Sequence, residues 1–187
     1  MTACAEFFES HSLDPQKVKA LSEIAERFEW EQGQSASKHS PGIVRNEEVI
    51  CRQLHSPVYI ERSTKMLKPT AFDDITNKGL STDRIAHSGK EAIIAAGHAR
   101  AEAYNANITD PEKKRSLIAI AHLDCTKVRQ HQVNGKQAIG VFDTALQENV
   151  AHSDVCALFV DRMSARSSRT HLFDIVSLEL LEPAGEE

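Results

Sequence analysis

Residues 116–125, SLIAIAHLDC, constrain the fold more than any other stretch. Leu117, Ala119, Ala121, Leu123 and Cys125 fall on one side of an extended chain. Ile118, Ile120, His122 and Asp124 fall on the other. Apolar residues on both faces predict a central strand, covered on both sides. Asn134-Gly135 is a strong hairpin signal and is expected to join a strand at 126–133 to one at 136–142. Ser88-Gly-Lys-Glu91 has capping-box spacing and opens a helix expected over 89–106. Gly97 lies in mid-helix, where it costs about 1 kcal/mol relative to alanine. Close packing against a neighbouring element is the expected compensation. Together these elements predict an α+β fold: a mixed or mainly antiparallel sheet with two or three packed helices.

An amphipathic helix is expected to precede that body. Asp14 is placed to cap it, and Pro15 fits its first position. Val18, Leu21, Ile24, Ala25 and Phe28 then recur at helical spacing over 14–31, with Lys17, Glu23, Glu26 and Arg27 on the opposite face. Residues 32–42 are small and polar with glycine near both ends, which reads as a flexible linker. The expected organisation is a helical arm (1–31), a linker (32–42), a body (43–182) and a frayed tail (183–187). Within the body, a short helix is expected at 45–54, a strand at 58–62, and a helix from 154 to 163. A basic loop at 164–169 and a closing strand at 170–181 follow.

The charge of −5 argues against bulk electrostatic binding to nucleic acid, although it leaves room for a local basic groove. Arg162, Arg166 and Arg169 form one such patch, or a solvated loop. Cys4, Cys51, Cys125 and Cys156 are widely spaced, so reduced, buried thiols are expected rather than a zinc knuckle. The first ten residues lack a basic start and an apolar run. No stretch approaches the roughly 20 apolar residues of a spanning helix. A cytoplasmic protein without membrane contact is the expectation. No cofactor is indicated by any motif.

Residues 65–84 break every period through Pro69, Gly79 and a turn-prone run, yet hold Phe72, Leu80 and Arg84. Long irregular segments in compact domains are commonly functional. A binding lid or rim is expected there, with Phe72 and Leu80 as its anchors into the core and Phe72, Ser81 and Arg84 as its substrate-binding residues. Arg84 is placed to bind phosphate, or to form a structural clasp with Asp73 or Asp74. Ser81 sits in a glycine-led turn without the flanking glycines of a nucleophile elbow. His122 and Asp124 share one strand face, an arrangement that suits a general base or a polar strand end. His152-Ser-Asp154 repeats the spacing, beside a helix start that offers an anion site. Two such pairs also offer histidine and carboxylate ligands to a divalent metal, although no metal is assigned. His55 completes the catalytic set of His55, His122, Asp124 and His152.

Lys68-Pro-Thr-Ala-Phe72, Gly79-Leu-Ser-Thr-Asp-Arg84 and Val150-Ala-His152, spread over residues 50–160, resemble a group of short bacterial proteins without an assigned activity. The region is also similar to toxin-type ADP-ribosyltransferase domains. There a strand bearing Arg or His precedes a Gly/Ser-rich loop, and a later acid completes the site. That resemblance implies roles for His55, Ser81 and Glu148.

Two functions are expected from these readings. One is a small enzyme acting on a nucleotide or nucleic acid by histidine acid–base chemistry or ADP-ribosyl transfer, in a toxin or defence setting. The other is an interaction subunit whose 14–31 helix docks on a protein partner or a second copy.

Overall fold

The computed structural model describes residues 1–182. The expected tail, 183–187, lies outside them. The fold is α+β, with a six-stranded antiparallel sheet at its centre. Its strands are β1 (Val49–Ser56), β2 (Leu80–Arg84), β3 (Ser116–Asp124), β6 (Ile139–Phe142), β7 (His152–Ala157) and β8 (Ser177–Leu180). They lie in the order β6-β7-β2-β1-β3-β8. A small hairpin, β4 (Gln132–Val133) and β5 (Lys136–Gln137), stands apart, with Asn134 and Gly135 both at positive φ in its turn.

The alternating segment at 116–125 becomes β3, paired to β1 on one side and β8 on the other. A single turn, α4 (Ile85–Ser88), leads from β2 into helix α5 (Lys90–Asn105), which lies against β3 and β1. A Cβ at Gly97 would stand 2.7 Å from Leu117 Cδ2, so the glycine permits the close approach. The Gly97 carbonyl accepts from His55 Nε2 at 3.0 Å. The cap is not Ser88 but Gly89, at φ +74 with no side-chain cap bond.

Several expected elements are replaced. The predicted 45–54 helix gives way to strand β1. Arg52, Gln53 and His55 are buried there with distant partners, which hides the strand alternation. The 58–62 strand reduces to one bridge, Ile60 to Leu67. The predicted 154–163 helix is strand β7, since a short buried apolar run fits either period. Residues 126–133 hold α6 (Cys125–Arg129) before the hairpin, because Asp124 caps it through Lys127 N–H. The basic segment 164–169 is helical within α7 (Arg162–Ile175), where Asp161 accepts from the Met163 and Ser164 amides. The closing strand is only β8.

The expected single helix over 14–31 is two, α2 (Lys17–Glu23) and α3 (Arg27–Gly33), preceded by α1 (Ala3–Ser10). Ile24 is extended between them, and Arg27 Nη1 donates to its freed carbonyl at 2.6 Å. Val18 and Leu21 are buried in the chain's own core. Lys17, expected on the exposed face, is only 6% exposed. Residues 32–42 do not hang free. Asp143 accepts from Ser35 Oγ at 2.6 Å and from Ala36 N–H at 2.7 Å.

Residues 65–84 are likewise ordered into a 3-10 helix, Pro69–Thr76, and then β2. Ala71, Phe72, Ile75 and Leu80 are fully buried, so Phe72 and Leu80 anchor this segment in the core as expected, and the Phe72 ring is not exposed to a substrate. Gly79, at φ +88, lies where a Cβ would meet the Asp154 carboxylate carbon at 3.1 Å. No helix among the described residues is long and apolar enough to cross a membrane.

Candidate functional site

Antiparallel pairing sets which side chains share a sheet face, because directly opposed residues project together. Asp83 opposes His152 and Ser81 opposes Asp154 across β2 and β7. The register therefore brings together four polar groups from two strands distant in sequence. His152 Nδ1 lies 3.0 Å from the Thr144 carbonyl oxygen and 3.0 Å from Thr144 Oγ1. The carbonyl oxygen only accepts, which favours the tautomer with the proton on Nδ1, whereas the Thr144 hydroxyl fits either role. Nε2 is then the basic nitrogen, and it lies 3.3 Å from Ser81 Oγ. Ser81 is exposed, whereas His152 is only partly so.

Asp154 lies behind this pair. Its Oδ2 accepts from Lys17 Nζ at 2.7 Å, with both side chains less than a tenth exposed. Its Oδ1 is 4.0 Å from His152 Nε2. Burial alone would lower the Lys17 pKa, but the charge of Asp154 overrides it and holds the ammonium above its ordinary value. Lys17 is thus a cation that completes the carboxylate's coordination.

His152, Lys17 and Asp154 also line a pocket of about 290 Å3, walled by Phe8, Ser37, Lys38, His39 and Thr144. Lys38 meets Glu9 at 3.5 Å in a pair more than half exposed, a contact that holds little energy. Its ammonium remains available to an incoming anion.

The other expected site residues lie elsewhere. Arg84 is 3% exposed. It donates to both Glu48 carboxylate oxygens at 2.7 Å and to the Gly42 carbonyl at 2.6 Å. It is a clasp, but its partner is Glu48 rather than Asp73 or Asp74. Burial would raise the Glu48 carboxyl, and the Arg84 bonds hold it below the ordinary range instead.

His122 opposes Cys51, which opposes Asp83, which opposes His152. Three strand spacings of about 4.8 Å put the two histidines roughly 14 Å apart. His122 Nε2 donates to Glu179 at 2.9 Å, and its Nδ1 meets Cys51 Sγ at 3.5 Å. Burial pushes the Cys51 thiol up to about 12, so it serves as a donor here, not a nucleophile. Asp124 caps α6. Glu148 is exposed in the segment between β6 and β7. No group of three or more metal-ligating side chains is present among the described residues.

His55 is buried. Burial pushes its imidazole below the ordinary value, against the Gly97 carbonyl, which favours the charged ring. A group depressed on folding binds fewer protons in the native state than in the unfolded one. Its contribution is complete above about pH 6.5, the unfolded value, and is lost as pH falls toward the depressed folded value. His131 is shifted the same way by burial and by the stacked His171 ring. The urea midpoint should therefore decline between about pH 7 and pH 5. The decline should be shallower in His55→Gln, which keeps a donor for Gly97 but does not titrate. Equal slopes in the two proteins would remove His55 from this account.

Thr144 and Lys17 carry no sequence signal for the site. Thr144 lies in no motif, and Lys17 falls on the polar side of its predicted helix. No protein-family description, curated protein or solved structure matches the chain.

Proposed function

We propose that the protein is a small enzyme acting on a nucleotide-sized, phosphate-bearing substrate, with His152 as its general base. The observation that carries this reading is the fixed imidazole: Nδ1 is committed to Thr144, and the basic Nε2 faces an exposed hydroxyl. In the proposed step an attacking hydroxyl, from water or an acceptor, reaches the edge of the ring beside Ser81. Its proton passes to Nε2 as its oxygen forms the new bond to phosphorus. The P–O bond to the leaving group breaks, and the leaving oxygen departs to solvent, taking a proton from water or from the imidazolium. Asp154 Oδ1 lies 4.0 Å from Nε2, beside the imidazolium so formed. Ser81 Oγ positions the hydroxyl, and Lys38 with His39 meets the phosphate at the pocket rim.

A second reading, ADP-ribosyl transfer, is favoured by one observation. Ser81 opposes Asp154 across β2 and β7, so the acid of such a site would be Asp154 rather than Glu148, while His55, on the neighbouring strand, is buried against Gly97.

Titration calorimetry with AMP, ADP, ATP and NAD tests the binding claim. At least one should bind, and Lys38→Ala should weaken it by roughly three- to ten-fold, the scale of a single charge-assisted hydrogen bond at a wet rim. Absence of binding by all four ends the nucleotide proposal. Nicotinamide release from NAD would select the second reading.

A further inference from the structure

Helix α7 holds three arginines in a chain whose net charge is −5, and none of them lines the pocket that holds His152. At about 100° per residue, Arg162, Arg166 and Arg169 fall within roughly 60° of one another on the helix surface. The helix is seated by its other side, where Ser164, Ala165, Ser168 and Leu172 are buried. Arg162 and Arg166 are exposed and unpaired among the described residues, and Arg169 meets Asp73 at 3.7 Å. A rise of about 1.5 Å per residue spreads the three charges over roughly 10 Å. We propose that this face of α7 binds single-stranded RNA, independently of the pocket at His152.

A second, independent feature flanks the arginines. The His171 ring of α7 stacks on His131, with centroids 4.6 Å apart and an interplanar angle of 15°. Both rings are held from outside the stack: His171 Nε2 donates to the Lys127 carbonyl at 2.9 Å, and His131 Nε2 meets Ser167 Oγ at 3.2 Å. Each histidine remains partly exposed. The two rings share a groove of about 460 Å3 with Arg166, Thr170, Met163 and Asp174. The Met163 side chain there is 82% exposed. The groove therefore runs from a cationic row, across a hydroxyl and an apolar side chain, to a flat aromatic pair.

That order of chemistry matches an unpaired nucleic-acid strand, whose phosphates follow a basic row while a base stacks on an aromatic ring beside it. The arginine row is long enough for about three phosphates at the 3.4 Å spacing of one strand. Thr170 offers a hydroxyl donor to a phosphate oxygen. A duplex fits less well. Its base faces are closed to the histidine pair, and its charge of one per roughly 1.7 Å is repelled by the rest of an acidic chain. The acids of this face then select among single strands. Asp161 is engaged by the helix amides and Asp73 by Arg169, which leaves Asp174 in the groove. A carboxylate repels phosphate but accepts from a hydroxyl, and the ribose 2′-hydroxyl supplies that donor where DNA has none.

Fluorescence anisotropy of the full chain with a labelled, mixed-sequence RNA of roughly 12 nucleotides tests this. Saturable binding with a Kd in the micromolar range is expected at about 50 mM salt, and the association constant should fall with salt at a log–log slope of about −2 for three phosphates. Arg166→Ala should flatten that slope by about 0.7. His171→Ala should weaken binding about five-fold or more by removing half of the stacked pair. Asp174→Ala should narrow the preference for RNA over DNA of the same sequence by about three-fold. Circular dichroism confirms that each variant is folded, and the exposed Arg166 carries the test if His171→Ala is not. A Kd weaker than about 100 μM at this salt, the limit of non-specific binding, overturns the proposal. So does binding that Arg166→Ala and a folded His171→Ala leave unchanged, or DNA or duplex RNA bound as tightly as the single-stranded RNA.

Discussion

Replacing Lys17 with methionine should lower the folding free energy by about 3–5 kcal/mol, the usual cost of leaving one buried charge without its partner. Lys17 Nζ and Asp154 Oδ2 are 2.7 Å apart, and neither side chain is more than 8% exposed. The methionine fills nearly the same volume, so the loss isolates the charge rather than the packing. Asp154 is left buried against Gly79 and Cys156, with no cation to compensate it. The double variant Lys17→Met/Asp154→Asn removes that charge too and should recover part of the loss. Lys19→Met, on the exposed side of α2, should stay within about 0.5 kcal/mol of the parent. Urea denaturation of the four proteins reads all of these values. If Lys17→Met behaves like Lys19→Met, the ion pair does not anchor the N-terminal helices to the sheet.

The second large effect concerns chemistry. With any substrate that the binding experiment identifies, His152→Asn should lower kcat by roughly 10²- to 10⁴-fold, the range of a missing general base. Asparagine can still donate to the Thr144 carbonyl but offers no basic nitrogen at the Nε2 position. KM should change little, because Lys38 and His39 are placed to hold the phosphate. Ser81→Ala should lose only about ten-fold if its hydroxyl positions the attacking group. A loss as deep as that of His152→Asn would instead make Ser81 the nucleophile. Unchanged turnover in His152→Asn would contradict the proposed mechanism outright.

The legible parts of the fold are those whose partners are near in sequence or whose pattern is regular. β3, α5 and the Asn134-Gly135 turn each carry a local signal strong enough to survive tertiary context. β1 does not. Arg52, Gln53 and His55 break its alternation, yet each is buried with a remote partner. His55 is bonded to Gly97, Gln53 to Ile93 and Arg100, and Arg52 stacks on Tyr59. β7 fails for the opposite reason, because its apolar run fits a helix equally well. α7 buries a stripe made mostly of small residues, Ser164, Ala165 and Ser168 with Leu172, which is a weak apolar signal, and its clearest local mark is the Asp161 cap.

The same limits apply to the site. Ser81 and His152 are each conspicuous in the sequence, one in a glycine-led turn and one in a His-x-Asp pair. Their contact depends on the β2–β7 register, which no local pattern encodes. Arg84 looks like a ligand-binding arginine in the sequence because its carboxylate, Glu48, lies 36 residues away. His122 resembles a base because a strand places it beside Asp124. Its real partners, Cys51 and Glu179, come from two other strands.

The most direct test of the central claim is the tautomer of His152. Long-range 15N–1H correlation spectra, recorded with the ring neutral and assigned by loss of the signal in His152→Asn, read it without any substrate. The account predicts the proton on Nδ1, bonded to the Thr144 carbonyl, which leaves Nε2 as the free base beside Ser81. A neutral ring protonated on Nε2 would contradict this account, since the nitrogen facing Ser81 would then have no lone pair to accept a proton.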